Sequence, residues 1–382
     1  MRNPLRGRWP TGAIGMLGLV LAIEWYVARH DRDFTTYWAQ AWKWSGREAA
    51  SRQARGSAVL CFGDSLVLHG VLPNVIEGRL GRGAYNLAVF KGQAPASYFL
   101  LRRALDSGAK PAAVLIDGEL FEDDPLDLPR LWPELAGYRD CAELAWAARS
   151  PSFLGAAAAA RLLPSCRARW EIRRCVLAAL GGQTGSARTE VRLRQRNSEQ
   201  NRGAQVLPVT GGPDPRAGQV AGYLAWPMKV HPLNAAFADR FVALAGSRGV
   251  TVYWLLPPYY PGIQARREAG GWDAAYMAFV RGLQARHPNL VVVDGRHAGY
   301  AADALFDLTH LNRVGAVAFS DALAGVLRDR IDRPAPAPGP PPARWVEIPA
   351  YRTPAGVSGV EDVVASSEAL KQRRAGRTKV RR

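Results

Sequence analysis

Ala58 to Phe62 is an unbroken apolar run that stops abruptly at Gly63-Asp64-Ser65. Five apolar residues closed by a turn signal form a short strand buried on both faces, as a parallel sheet requires. Glycine permits the tight turn. Beyond it, Leu72, Val75, Ile76 and Leu80 recur on one helical face, with Pro73 near the helix start. The segment reads as strand, turn, helix, and Ser65 lies at the carboxyl end of the strand, where open α/β sheets place their chemistry. Backbone N–H groups at such a position can hold an oxyanion. In a purely structural role, Asp64 and Ser65 would simply cap the helix.

The same alternation recurs along the chain. Gly83 to Gln93 reads as a second strand and loop, Ser97 to Ser107 as a helix, and Pro111 to Asp117 as a third strand. After a gap come a helix at Leu233 to Gly246, a buried strand at Val250 to Leu256 and a helix at Trp272 to His287. A strand at Leu290 to Asp294 follows. Strands alternating with helices predict a three-layer α/β/α fold around a parallel sheet. Between about 125 and 232 the alternation breaks. Cys141 to Leu180, rich in Ala, Leu and Arg, predicts helix, whereas Gly181 to Gly222 is polar and predicts a long flexible insertion or lid.

Near the end of the alternating pattern lies Asp307-Leu308-Thr309-His310, followed by a helix carrying Val317, Leu323, Val326 and Leu327. A serine hydroxyl needs a base to become a nucleophile, and the base needs an acceptor to orient it. Asp307 and His310, three apart at a loop–helix junction, can both face one pocket. Gly63-Asp64-Ser65-Leu66 and Asp307-Leu308-Thr309-His310 together resemble the first and last blocks of the SGNH, or GDSL-type, hydrolase family. The resemblance spans about residues 57 to 330, with the middle insertion unmatched. It implies a flavodoxin-like hydrolase fold and a catalytic set of Ser65, His310 and Asp307. It also implies an oxyanion held by the backbone N–H groups of Ser65 and Gly92. Gly92 lies one residue far from Asn86 for that pattern, so Lys91 or Gln93 are alternative donors. The family carries an asparagine after the third strand as a further donor, but this chain reads Asp117-Gly118-Glu119 there. An ionised carboxylate cannot donate.

The chain's 382 residues, 48% apolar and 22% charged, are sufficient for a substantial core. Four cysteines do not make a disulfide framework, and the Cys166–Cys175 spacing leaves a local bridge open. No Cys/His cluster has metal-ligand spacing, so neither a metal nor another cofactor is expected. A net charge of +17 points to an anionic partner. Nucleic acid fits poorly, because no recognition motif is present and the basic residues are dispersed outside the C-terminal stretch.

Residues 1–30 read as a membrane anchor, an apolar stretch from Thr11 preceded by Arg2, Arg6 and Arg8. That arginine flank predicts a cytoplasmic N-terminus; a cleaved signal peptide is the alternative. Residues 31–56 are expected to form a helical stalk and 57–332 the catalytic domain. Residues 333–382 are expected to form a proline-rich linker and a disordered basic tail able to bind anionic polymer or lipid. The expected activity is an esterase or O-acyltransferase on the outer side of the membrane. Its substrate would be ester-bearing, an acylated envelope polysaccharide or lipid. The alternative is an SGNH-fold envelope binding protein with weak or lost turnover.

Overall fold

Six parallel strands form one sheet in the order β2-β1-β3-β4-β5-β6. They are β1 (Val59–Phe62), β2 (Ala84–Asn86), β3 (Ala113–Ile116), β4 (Thr251–Leu256), β5 (Leu290–Asp294) and β6 (Trp345–Glu347). The structure is a computed structural model, and it describes all residues except 1–10, 119–120, 122, 183–186, 213–228, 332–342, 357–358 and 381–382.

The short all-apolar strands have the composition that two-sided burial demands. Leu60, Phe62, Val114, Ile116, Val252, Trp254 and Leu256 face one core. Val59, Cys61, Ala113, Leu115, Tyr253 and Leu255 face the other. This alternation is the period-two consequence of strand geometry. The N-terminal helices are α1 (Thr11–Arg29) and α2 (Tyr37–Trp44), and those flanking the first strands are α3 (Ser65–Gly70), α4 (Pro73–Leu80) and α5 (Ala94–Asp106). The insertion supplies α6 (Trp132–Leu135), α7 (Tyr138–Ala147), α8 (Pro151–Leu162), α9 (Pro164–Arg167), α10 (Arg169–Leu180) and α11 (Ala187–Gln200). The second half adds α12 (Pro232–Ser247), α13 (Pro261–Ala269), α14 (Trp272–Arg286), α15 (Arg313–Ile331) and α16 (Val363–Val380).

Three expectations need correction. The segment 31–56 is not a free stalk. Trp42 is buried and donates its indole N–H to Phe90 O at 2.9 Å, and Trp44 donates to the Tyr85 hydroxyl at 3.0 Å. Burying a large aromatic contributes about 1.5–3 kcal/mol, which favours packing over standing clear. The expected flexible stretch 181–222 contains α11 and a segment, Asn201 to Val206, that is buried except at Arg202 and hydrogen-bonds Asn86 and Leu68; residues 183–186 and the part from 213 onward lie outside the described residues. Finally, the sheet does not end at β5. Residues expected to be linker and tail supply β6, paired with β5 from Val292↔Trp345 to Asp294↔Glu347, and α16, which packs against α11. The proline run itself, and Arg381 and Arg382, lie outside the described residues.

Helix α1 is long and apolar enough to cross a membrane. Its apolar side chains, Leu17, Leu19, Leu21 and Ile23 among them, are exposed. The three arginines before it lie outside the described residues.

Candidate active site

Ser65 follows β1 by three residues because Gly63 turns the chain there. Gly63 has φ +131, and a Cβ at this position would overlap the Asp117 carboxylate and crowd Val67. Asp64 caps α3 by accepting from Leu66 N at 2.7 Å, while its own N–H donates to Asp117 Oδ1 at 3.2 Å. The buried carboxylate after β3 thus fixes the turn that carries the serine. Glu119, Leu120 and Glu122 of the same loop lie outside the described residues.

His310 arrives on a hairpin-like loop braced on three sides. Phe306 N donates to His310 O at 2.8 Å, Asn312 N to Ala304 O at 3.0 Å, and Tyr260 N to Leu308 O at 3.1 Å. Asn312 then caps α15, accepting from Val314 N and Gly315 N. Helix α15 is tied to the serine side by Ser320, which accepts from Leu72 N at 2.7 Å and donates to Gly70 O at 3.3 Å.

These braces bring together groups 245 residues apart. Asp307 only accepts, so His310 Nδ1 carries the proton and donates to Asp307 Oδ2 at 2.8 Å. The opposite nitrogen, Nε2, accepts from Ser65 Oγ at 2.9 Å. Asp307 Oδ1 also accepts from His310 N at 2.8 Å and Thr309 N at 2.9 Å. Burial pushes the Asp307 carboxyl up. The hydrogen bond and charge of His310, with the two backbone N–H groups, outweigh burial and hold it well below the usual carboxylate range. Asp307 therefore stays ionised and keeps the imidazole in the tautomer that can accept a serine proton.

No family model matches the chain, and no curated protein matches it. The site's chemistry therefore rests on its own geometry.

Gly92 does not take the place expected of it. Its N–H donates to Val89 O at 2.8 Å, and a Cβ on Gly92 would overlap Gly63 O, so its role is close packing against the serine turn. Among the described residues, the N–H groups of Ser65, Lys91 and Gln93 donate no hydrogen bond. Lys91 has φ +55, the left-handed conformation that glycine adopts most readily. Asn86 is wholly engaged elsewhere, donating to Val67 O and Val71 O at 2.9 Å each and accepting from Ala88 N.

Two features escape sequence reasoning. Asn234 donates to Phe121 O, Asp123 O and Gln93 Oε1, clamping the loop after β3 to the loop after β2 from 110 or more residues away. A lone asparagine in an amphipathic helix carries no sequence signal for this. His69, four residues after Ser65, is buried and edge-on to His310, with ring centroids 5.5 Å apart. Its Nδ1 donates to Gln205 O at 2.6 Å, and burial, followed by the neighbouring His310, pushes its pKa down to about 3. His69 is a neutral packing residue, not a second base. All four cysteines are free thiols, so Cys166 and Cys175 form no bridge. Among the described residues no His/Cys/Asp/Glu group is arranged to hold a metal ion.

Proposed function

We propose that the protein is an SGNH-type serine hydrolase or O-acyltransferase of flavodoxin-like fold, acting on ester-linked acyl groups. The observation that carries this reading is the continuous hydrogen-bonded relay Ser65–His310–Asp307 at the carboxyl end of the sheet. Ser65 Oγ attacks the acyl carbonyl while His310 Nε2 takes its proton. His310 returns that proton to the leaving alcohol, giving an acyl-serine. Water, or a sugar hydroxyl, then attacks the acyl-serine with His310 again as base. The oxyanion is assigned to the N–H of Ser65 and to the Lys91–Gln93 turn, whose Lys91 and Gln93 N–H groups have no acceptor among the described residues.

The length and apolarity of helix α1 support a membrane anchor, and Arg2, Arg6 and Arg8 before it favour a cytoplasmic N-terminus with the catalytic domain outside. An acylated envelope polysaccharide or lipid is the substrate class suited to that position. A second reading, an envelope binding protein with little turnover, is favoured by one observation: Gly92 N–H is bonded within its own turn.

A fluorophosphonate probe separates the two readings. Covalent labelling of the intact protein, lost in Ser65→Ala, supports the enzyme. Labelling that survives Ser65→Ala, or no labelling of the folded wild type, rejects it.

A further inference from the structure

The insertion helices are packed against the anchor. Helix α9 contacts α1, and Glu24 of α1 accepts from Ser165 N at 2.9 Å and from the Ser165 hydroxyl. Arg167 pairs with Asp31, and Cys175 Sγ donates to Asp33 O at 3.8 Å, both just past the end of α1. At 1.5 Å per residue, Glu24 lies about 7.5 Å inside the last residue of α1. The α8–α9 corner therefore sits level with the final turns of the apolar helix.

That corner and α10 expose what a soluble surface avoids. Leu162 is 68% exposed, Trp170 49% and Leu180 81%, with Leu163, Val176 and Leu177 beside them. Trp170 is ringed by guanidinium groups at 5.6 Å (Arg130), 5.3 Å (Arg169) and 5.8 Å (Arg173) from its centroid. None of these three arginines, nor the adjacent Arg174, forms an ion pair among the described residues. Three like charges around one ring repel one another unless an anion joins them. Consistently, burial and then Arg169 lower the pKa of Arg130, only partly opposed by Glu171. A cavity of about 200 Å³ opens between this cluster and the chain leaving the anchor, lined by Phe34, Trp38, Leu128, Arg130, Arg167 and Trp170.

An exposed indole with leucines and unpaired arginines, contiguous with an apolar helix, has the composition of a bilayer interface. Guanidinium groups bind phosphate through paired N–H donors. We propose that the α9–α10 corner is a membrane-surface dock in which Arg130, Arg169 and Arg173 hold the phosphates of anionic phospholipid around Trp170. This inference rests on the anchoring role of α1. It gives the insertion a task beyond covering the sheet: it fixes the orientation of the catalytic domain over the bilayer, not merely its tether.

The test uses the full chain in nanodiscs of phosphatidylcholine, alone or mixed with phosphatidylglycerol, followed by hydrogen exchange of the peptides covering 162–180. Exchange should slow by roughly an order of magnitude with the anionic lipid. The slowing should be lost in Arg130→Gln/Arg169→Gln/Arg173→Gln and only partly kept when the three become lysine, which retains the charge but not the paired donors. Arg169→Gln/Arg173→Gln alters only exposed side chains, so its loss of slowing is read without a folding penalty. Equal exchange in both discs overturns the dock, as does slowing that persists in the glutamine variants. Slowing reproduced by inorganic phosphate in phosphatidylcholine discs assigns the arginines to a free anion and also overturns it. A chain that enters neither disc overturns the anchor itself, and an entering chain with unchanged exchange overturns the dock alone.

Discussion

At the scale of single residues, the proposed chemistry turns on Asp307, whose bond to His310 sets the tautomer that faces Ser65. Asp307→Asn keeps the shape of the loop but allows the opposite imidazole tautomer, with the proton on Nε2, where it blocks acceptance from Ser65 Oγ. The labelling rate and any esterase activity should fall by about 10⁴ while the fold survives. The same carboxyl has a pH signature. Its pKa is held below the unfolded value of about 3.9, so in the intervening range the folded state binds fewer protons than the unfolded state. Its contribution to stability is thus present above about pH 4 and is lost as pH falls toward the folded value. Denaturant melts of wild type and Asp307→Asn at pH 7, 5 and about 3 should show a stability gap that narrows with acidity. A gap independent of pH would contradict the assignment.

At the scale of elements, Ser65 opens α3 while His310 sits on the loop that leads into α15, and Ser320 is the bolt between the two sides. Ser320→Ala leaves the Leu72 N–H in a buried site with no acceptor, a cost of about 1–3 kcal/mol. Unfolding midpoints should fall accordingly. The rate of fluorophosphonate labelling should fall as well, because α15 carries the loop that aims His310. The elements legible in the sequence were β1, β3, β4 and β5 as apolar runs, β2 within the strand-and-loop reading of Gly83 to Gln93, and α4, α5, α12, α14 and α15 as helical faces. Ser65, His310 and Asp307 were legible because each adjoins such an element. The rest was hidden for physical reasons. Strand β6 is three residues long and follows a proline run, so no period announces it. Segment 31–56 reads as a stalk because its tryptophans have no apolar rhythm, yet the Trp42 and Trp44 indole N–H groups find partners across the fold and Trp38 stacks on Phe90. The Gly92 reading failed because a one-residue offset in a loop is invisible until the backbone hydrogen bonds are known.

At the scale of the whole molecule, the proposed anchoring by α1, with arginines before it in the sequence, predicts a single orientation across the membrane. Alkaline phosphatase fused after Arg382 should be active in cells, and a green fluorescent protein fused at the same point and exported by the same route should be dark. The reverse pattern would put the catalytic domain in the cytoplasm and remove envelope polymers from the substrate class. The fusion point matters, since a reporter placed before β6 would interrupt the sheet.

The position of β6 has a further consequence, in the order in which the chain is made. A parallel sheet closes only through long crossovers, and here the serine turn emerges from synthesis 245 residues before the imidazole that activates it. The strand that covers the β5 edge and the helix that packs on α11 come later still. Until Asp307 and His310 have followed, Ser65 is an alcohol with no base. On the proposed function, ester chemistry therefore becomes available only once the last loop–helix unit has closed on the serine turn, and the chain is unarmed for most of the time that it is being made.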